Sequence, residues 1–233
     1  MLSFLKIFRK HDSPNAFYLS GSERKAFCRE LIDSSALTGS FYFLLIVSIF
    51  IVLAGLLKNS IPLVIGGMLV APLLSPILGL SLALIIMKSN VLARALKVFL
   101  LTTILSLFVS MIFGLIFPFR TNEIDLIRQM SAGGFDLFIA VLAGAAASLT
   151  WAKKSLSNSL AGIAITVTLL PPLAIAGLAL AALDYVIFID ALQTYFINVG
   201  GIVLGSLIIF MVLKVKKTEK QVVSEIEQEK KED

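Results

Sequence analysis

Two apolar runs about a hundred residues apart constrain this chain most: NSIPLVIGGMLVAPLLSPILGLSLAL from Asn59 and NSLAGIAITVTLLPPLAIAGLALAAL from Asn158. Each is long enough to cross a bilayer, and each carries prolines near its middle. A proline in a helix removes a backbone donor and clashes with the carbonyl four residues earlier. Pro72, Pro171 and Pro172 are therefore expected to free the carbonyls of Met68, Val167 and Thr168 at membrane depth. Unpaired backbone groups survive there only against protein or water. Matched breaks in two parts of one chain thus point to a cavity between related halves, the arrangement common in secondary transporters.

Composition supports a membrane setting. Of 233 residues, 58% are hydrophobic and 15% charged, with a mean hydropathy of +0.96, far too apolar for a soluble domain. The net charge of +5 is no sign of nucleic-acid binding. Lysines and arginines lie in the tails and short loops, where they act as topology signals beside anionic lipid headgroups. The single Cys28 forms no intrachain disulfide, and with His11 as the only histidine no Cys/His metal site can be assembled. No HExxH, P-loop or pair of mid-membrane aspartates is present, so neither enzyme chemistry nor a cofactor is expected. The segment MLSFLKIFRKHD has too short an apolar stretch for a signal peptide and is expected to stay attached.

The pattern along the chain predicts an all-α polytopic membrane protein of about six transmembrane helices. Residues 1–40 form an N-terminal tail, in which Ser22 to Leu37 reads as a short amphipathic helix on the membrane surface, with Phe27, Leu31 and Ile32 on one side. The transmembrane domain covers 41–213, in halves 41–117 and 135–213, and a charged tail follows over 214–233. Spans are expected at Phe41–Leu57, Ile61–Met87 (halves Ile61–Val70 and Pro76–Met87), Ala95–Phe117, Phe135–Thr150, Ser157–Leu183 and Ala191–Leu213, with Asp184 to Asp190 as a loop. Seventeen of the twenty lysines and arginines then share one side, leaving Lys58, Arg120 and Arg128 opposite. The positive-inside rule puts both termini in the cytoplasm of a cell with this protein in its inner membrane.

An internal repeat fits this count. Asn59-Ser60 precedes Pro72 by the interval at which Asn158-Ser159 precedes Pro171, and Gly79 and Gly177 follow at nearly equal distance. Three spans per half require the second half to enter from the opposite face, giving a 3+3 inverted repeat with two proline-broken helices.

Candidate site residues cluster at the breaks: Met68, Pro72, Ser75 and Pro76 at the first, and Thr166, Val167, Thr168, Pro171 and Pro172 at the second. Free carbonyls, half-helix N-termini and these hydroxyls could hold a solute, or the prolines could be kinks satisfied by neighbouring helices. Asn198 shares a face with Thr194, Gly201 and Gly205. It could bind substrate or bridge helices that the glycines bring close. Thr102, Ser106, Ser110 and Gly114 recur every four residues and read as a packing stripe. Asp136 is placed to cap a helix start. Asp184, Asp190, Glu123 and Asp125 could form an acidic vestibule or simply mark the non-cytoplasmic loops.

Gly55-Leu56-Leu57 with Asn59-Ser60, the run IGGMLVAPLLSPILGLSLAL from Ile65, Asp136 with Ala140 and Gly144, Pro171-Pro172-Leu173 with Gly177, and Asn198 together carry a family resemblance. Over about Leu31 to Phe210 the chain resembles the bacterial and archaeal hydrophobic membrane proteins known as domain of unknown function 389. Gly67 stands where that family more often has alanine, and the loop after Arg128 lacks its proline. Some relatives add a soluble N-terminal domain. The resemblance implies a multi-pass fold and no particular chemistry. The expected function is translocation of a small solute or ion by a channel or uniporter-like carrier, with membrane lipids as neighbours and a homo-oligomer as its assembly. The alternative is a scaffold or sensor acting through the tails.

Overall fold

The computed structural model describes residues 19–34, 37–117, 134–153 and 169–215. Among them the secondary structure is α-helical: α1 (Gly21–Ser34), α2 (Gly39–Leu57), α3 (Ile61–Val70), α4 (Leu74–Ile86), α5 (Ser89–Ile116), α6 (Gly134–Ala152), α7 (Leu170–Ala181) and α8 (Tyr185–Val212). Four of these helices, α2, α5, α6 and α8, are long and apolar enough to cross a membrane. The bent pair α3 and α4 adds a fifth such element when counted as one.

Local chemistry sets the helix ends. The Thr38 hydroxyl accepts the Phe41 N–H at 3.2 Å and so caps α2. At its other end the chain reverses through Asn59, whose φ of 48° is left-handed, and the Ser60 N–H returns to the Gly55 carbonyl at 2.8 Å. The resulting α2–α3 hairpin is tight. A Cβ on Gly55 would lie 2.7 Å from the Val64 nitrogen, and one on Gly67 would lie 2.8 Å from the Val52 nitrogen. Asp184 caps α8 by accepting the Ile187 N–H at 3.2 Å.

Side-chain contacts fix the direction of each helix. A Cβ on Gly201 would lie 2.5 Å from the Ala140 Cβ, and four residues later one on Gly205 would lie 2.7 Å from the Ala145 nitrogen and overlap the Val141 carbonyl. The contacts advance together along both chains, so α6 and α8 run parallel. The end of α6 and the start of α8 therefore lie at opposite ends of this pair. The bent pair traverses the bundle. Ile61 starts beside the end of α2, whereas Ile85 and Met87 lie with Phe210, Met211 and Lys214 at the end of α8.

Helix α1 turns the apolar side expected of it onto the bundle. Phe27, Cys28 and Leu31 are buried, and α1 packs on α4 and α6. Phe27 meets the Phe210 ring at 5.4 Å, and the Arg24 guanidinium donates to the carbonyls of Leu213 at 3.2 Å and Leu19 at 3.0 Å. The apolar spacing was read correctly, but its partner is the end of the bundle.

The remaining spans begin earlier than hydropathy suggests. Helix α5 starts at Ser89 rather than Ala95, and α8 at Tyr185 rather than Ala191, so Asp190 is helical and not in a loop. Charged residues such as Arg94 and Asp190 close an apolar window without interrupting backbone hydrogen bonding.

The two parts of the chain match in element length. Helices α2 and α6 each have 19 residues, α5 and α8 each have 28, and α4 and α7 have 13 and 12. Gly39 and Gly134, Leu74 and Leu170, and Ser89 and Tyr185 begin corresponding helices, 95 or 96 residues apart. At this offset Pro172 corresponds to Pro76, whereas the proline spacing had paired Pro171 with Pro72. Packing matches as well. Both α4 and α7 pack on both long helices, α5 and α8, while α2 meets α5 much less extensively than α6 meets α8.

Candidate functional site

At the first break α3 ends at Val70, Ala71 is extended, and α4 sets off at 53° to α3 from Leu74. Pro72 cannot donate the bond that would continue α3, which accounts for the break. The Met68 carbonyl, expected to be freed, accepts the Ala71 N–H at 3.2 Å. The Ser75 hydroxyl donates to the Pro72 carbonyl at 3.2 Å. Pro76 is the third residue of α4, where a backbone N–H has no intrahelical acceptor. Met68, Ser75 and Pro76 are buried and Pro72 is half-buried. The chain is therefore bent here, but both of these carbonyls are engaged.

The second site is built differently. Thr166, Val167 and Thr168 lie outside the described residues. Pro171 and Pro172 do not interrupt α7; they occupy its first turn, with Pro171 in the second position. There a fixed φ suits the helix and the missing N–H costs nothing. Leu169 to Ala179 are all buried. A helix start normally leaves four donors needing partners, and two consecutive prolines remove two of them. This suits an N-terminus enclosed in protein, and it weakens that terminus as an anion cradle. Helix α7 touches α3 and α2, so the second proline pair is placed on an element adjoining the first break.

Asn198 is buried on the face of α8 that carries Gly201 and Gly205. Those glycines pack on Leu137, Ala140, Val141 and Ala145 of α6, and Gly144 of α6 reciprocates against the Ile202 backbone. One turn before Gly201, Asn198 lies level with the first turn of α6, the turn that holds Asp136. Close approach of α6 and α8 thus accounts for the glycines of this stripe.

Most other buried hydroxyls are spent within their own helices. Ser81 donates to Ile77, Thr102 to Val98, Ser106 to Thr102 and Ser148 to Gly144, all at 2.8–2.9 Å. Two polar features differ from this pattern. The Tyr195 and Thr103 hydroxyls bond across helices at 2.8 Å, and the Ser110 Oγ is fully buried without a partner among the described residues where Gly177 of α7 meets α5. The Tyr195–Thr103 bond has no local sequence signal, because its partners are distant in the chain, whereas Ser110 belongs to the small-residue stripe, which meets Gly177 of α7. Glu123 and Asp125, two of the four vestibule acids, lie outside the described residues. Among those described, no group of three acidic, histidine or cysteine residues could hold a metal.

The stretch from Met68 through the first break, α7 and Asn198 is also what comparison recognises. A family model described as Domain of unknown function (DUF389) matches residues 68–204. The chain is similar to "Uncharacterized protein MJ0678" of Methanocaldococcus jannaschii, at 30% identity over 178 residues, covering 76% of this chain and 55% of that protein. It therefore spans about half the length of the curated relative. No solved structure matches the chain. The residues matched and the identity to this relative together establish that the chain belongs to the DUF389 family.

Proposed function

We propose that this is an integral membrane protein that moves a small solute or ion between two inverted halves of three spans each. Parallel α6 and α8 support six crossings, since the chain between them must return across the bilayer. The halves are inverted: α2 leaves from the end that α1 covers, whereas α6 finishes there. The observation that carries the reading is the crosswise core. Helices α4 and α7, each the second part of a proline-marked apolar run, are both clamped between α5 and α8. In such folds the binding site lies where the repeats meet.

The site comprises Met68, Pro72, Ser75 and Pro76 with Pro171 and Pro172, joined by Thr166, Val167 and Thr168. Asn198, on the α8 face that packs on α6, stands at its margin. Rocking of one half against the other would open it alternately, and membrane lipids surround it. No nucleic acid, cofactor or catalytic step belongs to this mechanism. A homo-oligomer remains part of the proposal. The expected core of the spans holds no acidic or basic side chain, so movement is passive or ion-coupled without a proton relay.

Purified protein in liposomes should carry K⁺, Na⁺, Cl⁻ or glycerol faster than protein-free liposomes, without a pH gradient. Ser75→Trp should reduce that flux while the protein stays folded. Absence of flux for all four would favour the second reading, a membrane scaffold or sensor. The observation favouring that reading is the largely self-satisfied set of buried hydroxyls, together with α1 held by Arg24 across the bundle end.

A further inference from the structure

The geometry points to a binding site for an anionic phospholipid between the C-terminal ends of α4 and α8. A groove of about 520 Å³ is lined there by Leu84, Ile85, Met87, Leu207, Phe210 and Met211, with Lys214 at its mouth. Its volume falls within the roughly 300–1,000 Å³ range of ligand sites. The lining is apolar and adaptable, since Met87 is 75% and Met211 62% exposed and thioether side chains adjust to irregular chains. Phe210 closes the floor, held against Phe27 of α1.

Charge at the mouth selects the headgroup. The left-handed turn at Lys214 (φ 55°) ends α8 and leaves this lysine exposed beside the groove, and no hydrogen bond or ion pair engages its ammonium among the described residues. Lys88 follows Met87 directly, and Arg24 reaches the Leu213 carbonyl from α1. A phosphate at this level meets Lys214, with Lys88 adding positive charge nearby, while an acyl chain fills the groove below. This is the chemistry of basic pockets between transmembrane helices that retain anionic lipids. The site is independent of the translocation reading, because it lies at the end of α4 remote from the break.

The test is native mass spectrometry of the full chain in detergent, offered phosphatidylglycerol and phosphatidylcholine at equal concentration. Wild-type protein should retain phosphatidylglycerol about fivefold better. Lys214→Glu should reduce it to the phosphatidylcholine level, Leu84→Trp should reduce both lipids by filling the groove, and Lys58→Glu at the opposite end should change nothing. Inorganic phosphate should not displace the lipid. Equal retention of the two lipids, or a preference that survives Lys214→Glu, would overturn the proposal. Displacement by phosphate would reduce the site to a headgroup contact and overturn the acyl-chain seat. A two-chain species that excludes lipid would make a second copy the occupant and equally overturn it.

Discussion

Glycine placement separates packing from mere composition at the residue scale. A Cβ on Gly205 would overlap the Val141 carbonyl, whereas one on Gly66 would meet nothing within 4 Å. Gly205→Ala should therefore destabilise the protein by about 1–3 kcal/mol through overpacking of α6 against α8. Gly66→Ala should instead be neutral or stabilise α3 by about 0.5–1 kcal/mol. Thermal unfolding in one detergent checks both, and similar shifts for the two would show that the α6–α8 contact is looser than described. Hydroxyls make a second contrast. Ser110 Oγ has no partner among the described residues, so Ser110→Ala should be neutral or stabilising by about 1–3 kcal/mol, while Thr103→Val strips the Tyr195 hydroxyl of a cross-helix bond and should cost about 1 kcal/mol.

The α2–α3 hairpin shows best, among the elements, what the sequence could and could not disclose. Its ends were legible, because apolar length and the Asn59-Ser60 turn mark them, and both helices lie within two residues of expectation. The closeness of the pair was not, since nothing in the sequence states that Gly67 faces Val52. Gly67→Ala, the residue more usual in the resembling family, should loosen this hairpin and lower the unfolding temperature; an unchanged temperature would mean the helices separate at no cost. The proline signal was ambiguous in a different way. Pro72 lies in a break, but Pro171 and Pro172 begin a helix, and spacing alone cannot distinguish the two because proline suits a first turn as well as it disrupts an interior. Helix starts 95 or 96 residues apart pair Pro76 with Pro172, whereas the proline spacing pairs Pro72 with Pro171. For the candidate site, the sequence marked which residues lie near the breaks but not that the Met68 and Pro72 carbonyls are engaged, which depends on backbone direction after Val70.

At the scale of the whole molecule, helix direction rather than any single contact carries the account. Matched helix lengths and the crosswise clamping of α4 and α7 support the proposal of three crossings in each half, with the second half inverted. The buried state of Cys28 also matters here: a maleimide should fail to label it from either side until the protein is unfolded. That leaves a background of Cys28→Ser in which single cysteines at Arg29 and Lys214 report on the two flanks and those at Lys58, Ser89, Lys153 and Leu183 on four of the five connections. Labelling these with an impermeant maleimide, in intact cells and in inverted vesicles, tests the six crossings most directly. The account predicts that Lys58→Cys and Leu183→Cys react only in intact cells, and the other four only in inverted vesicles. Reaction of the Lys58 and Ser89 positions from the same side, or of the Lys153 and Leu183 positions from the same side, would make a broken segment re-entrant and contradict the inverted repeat.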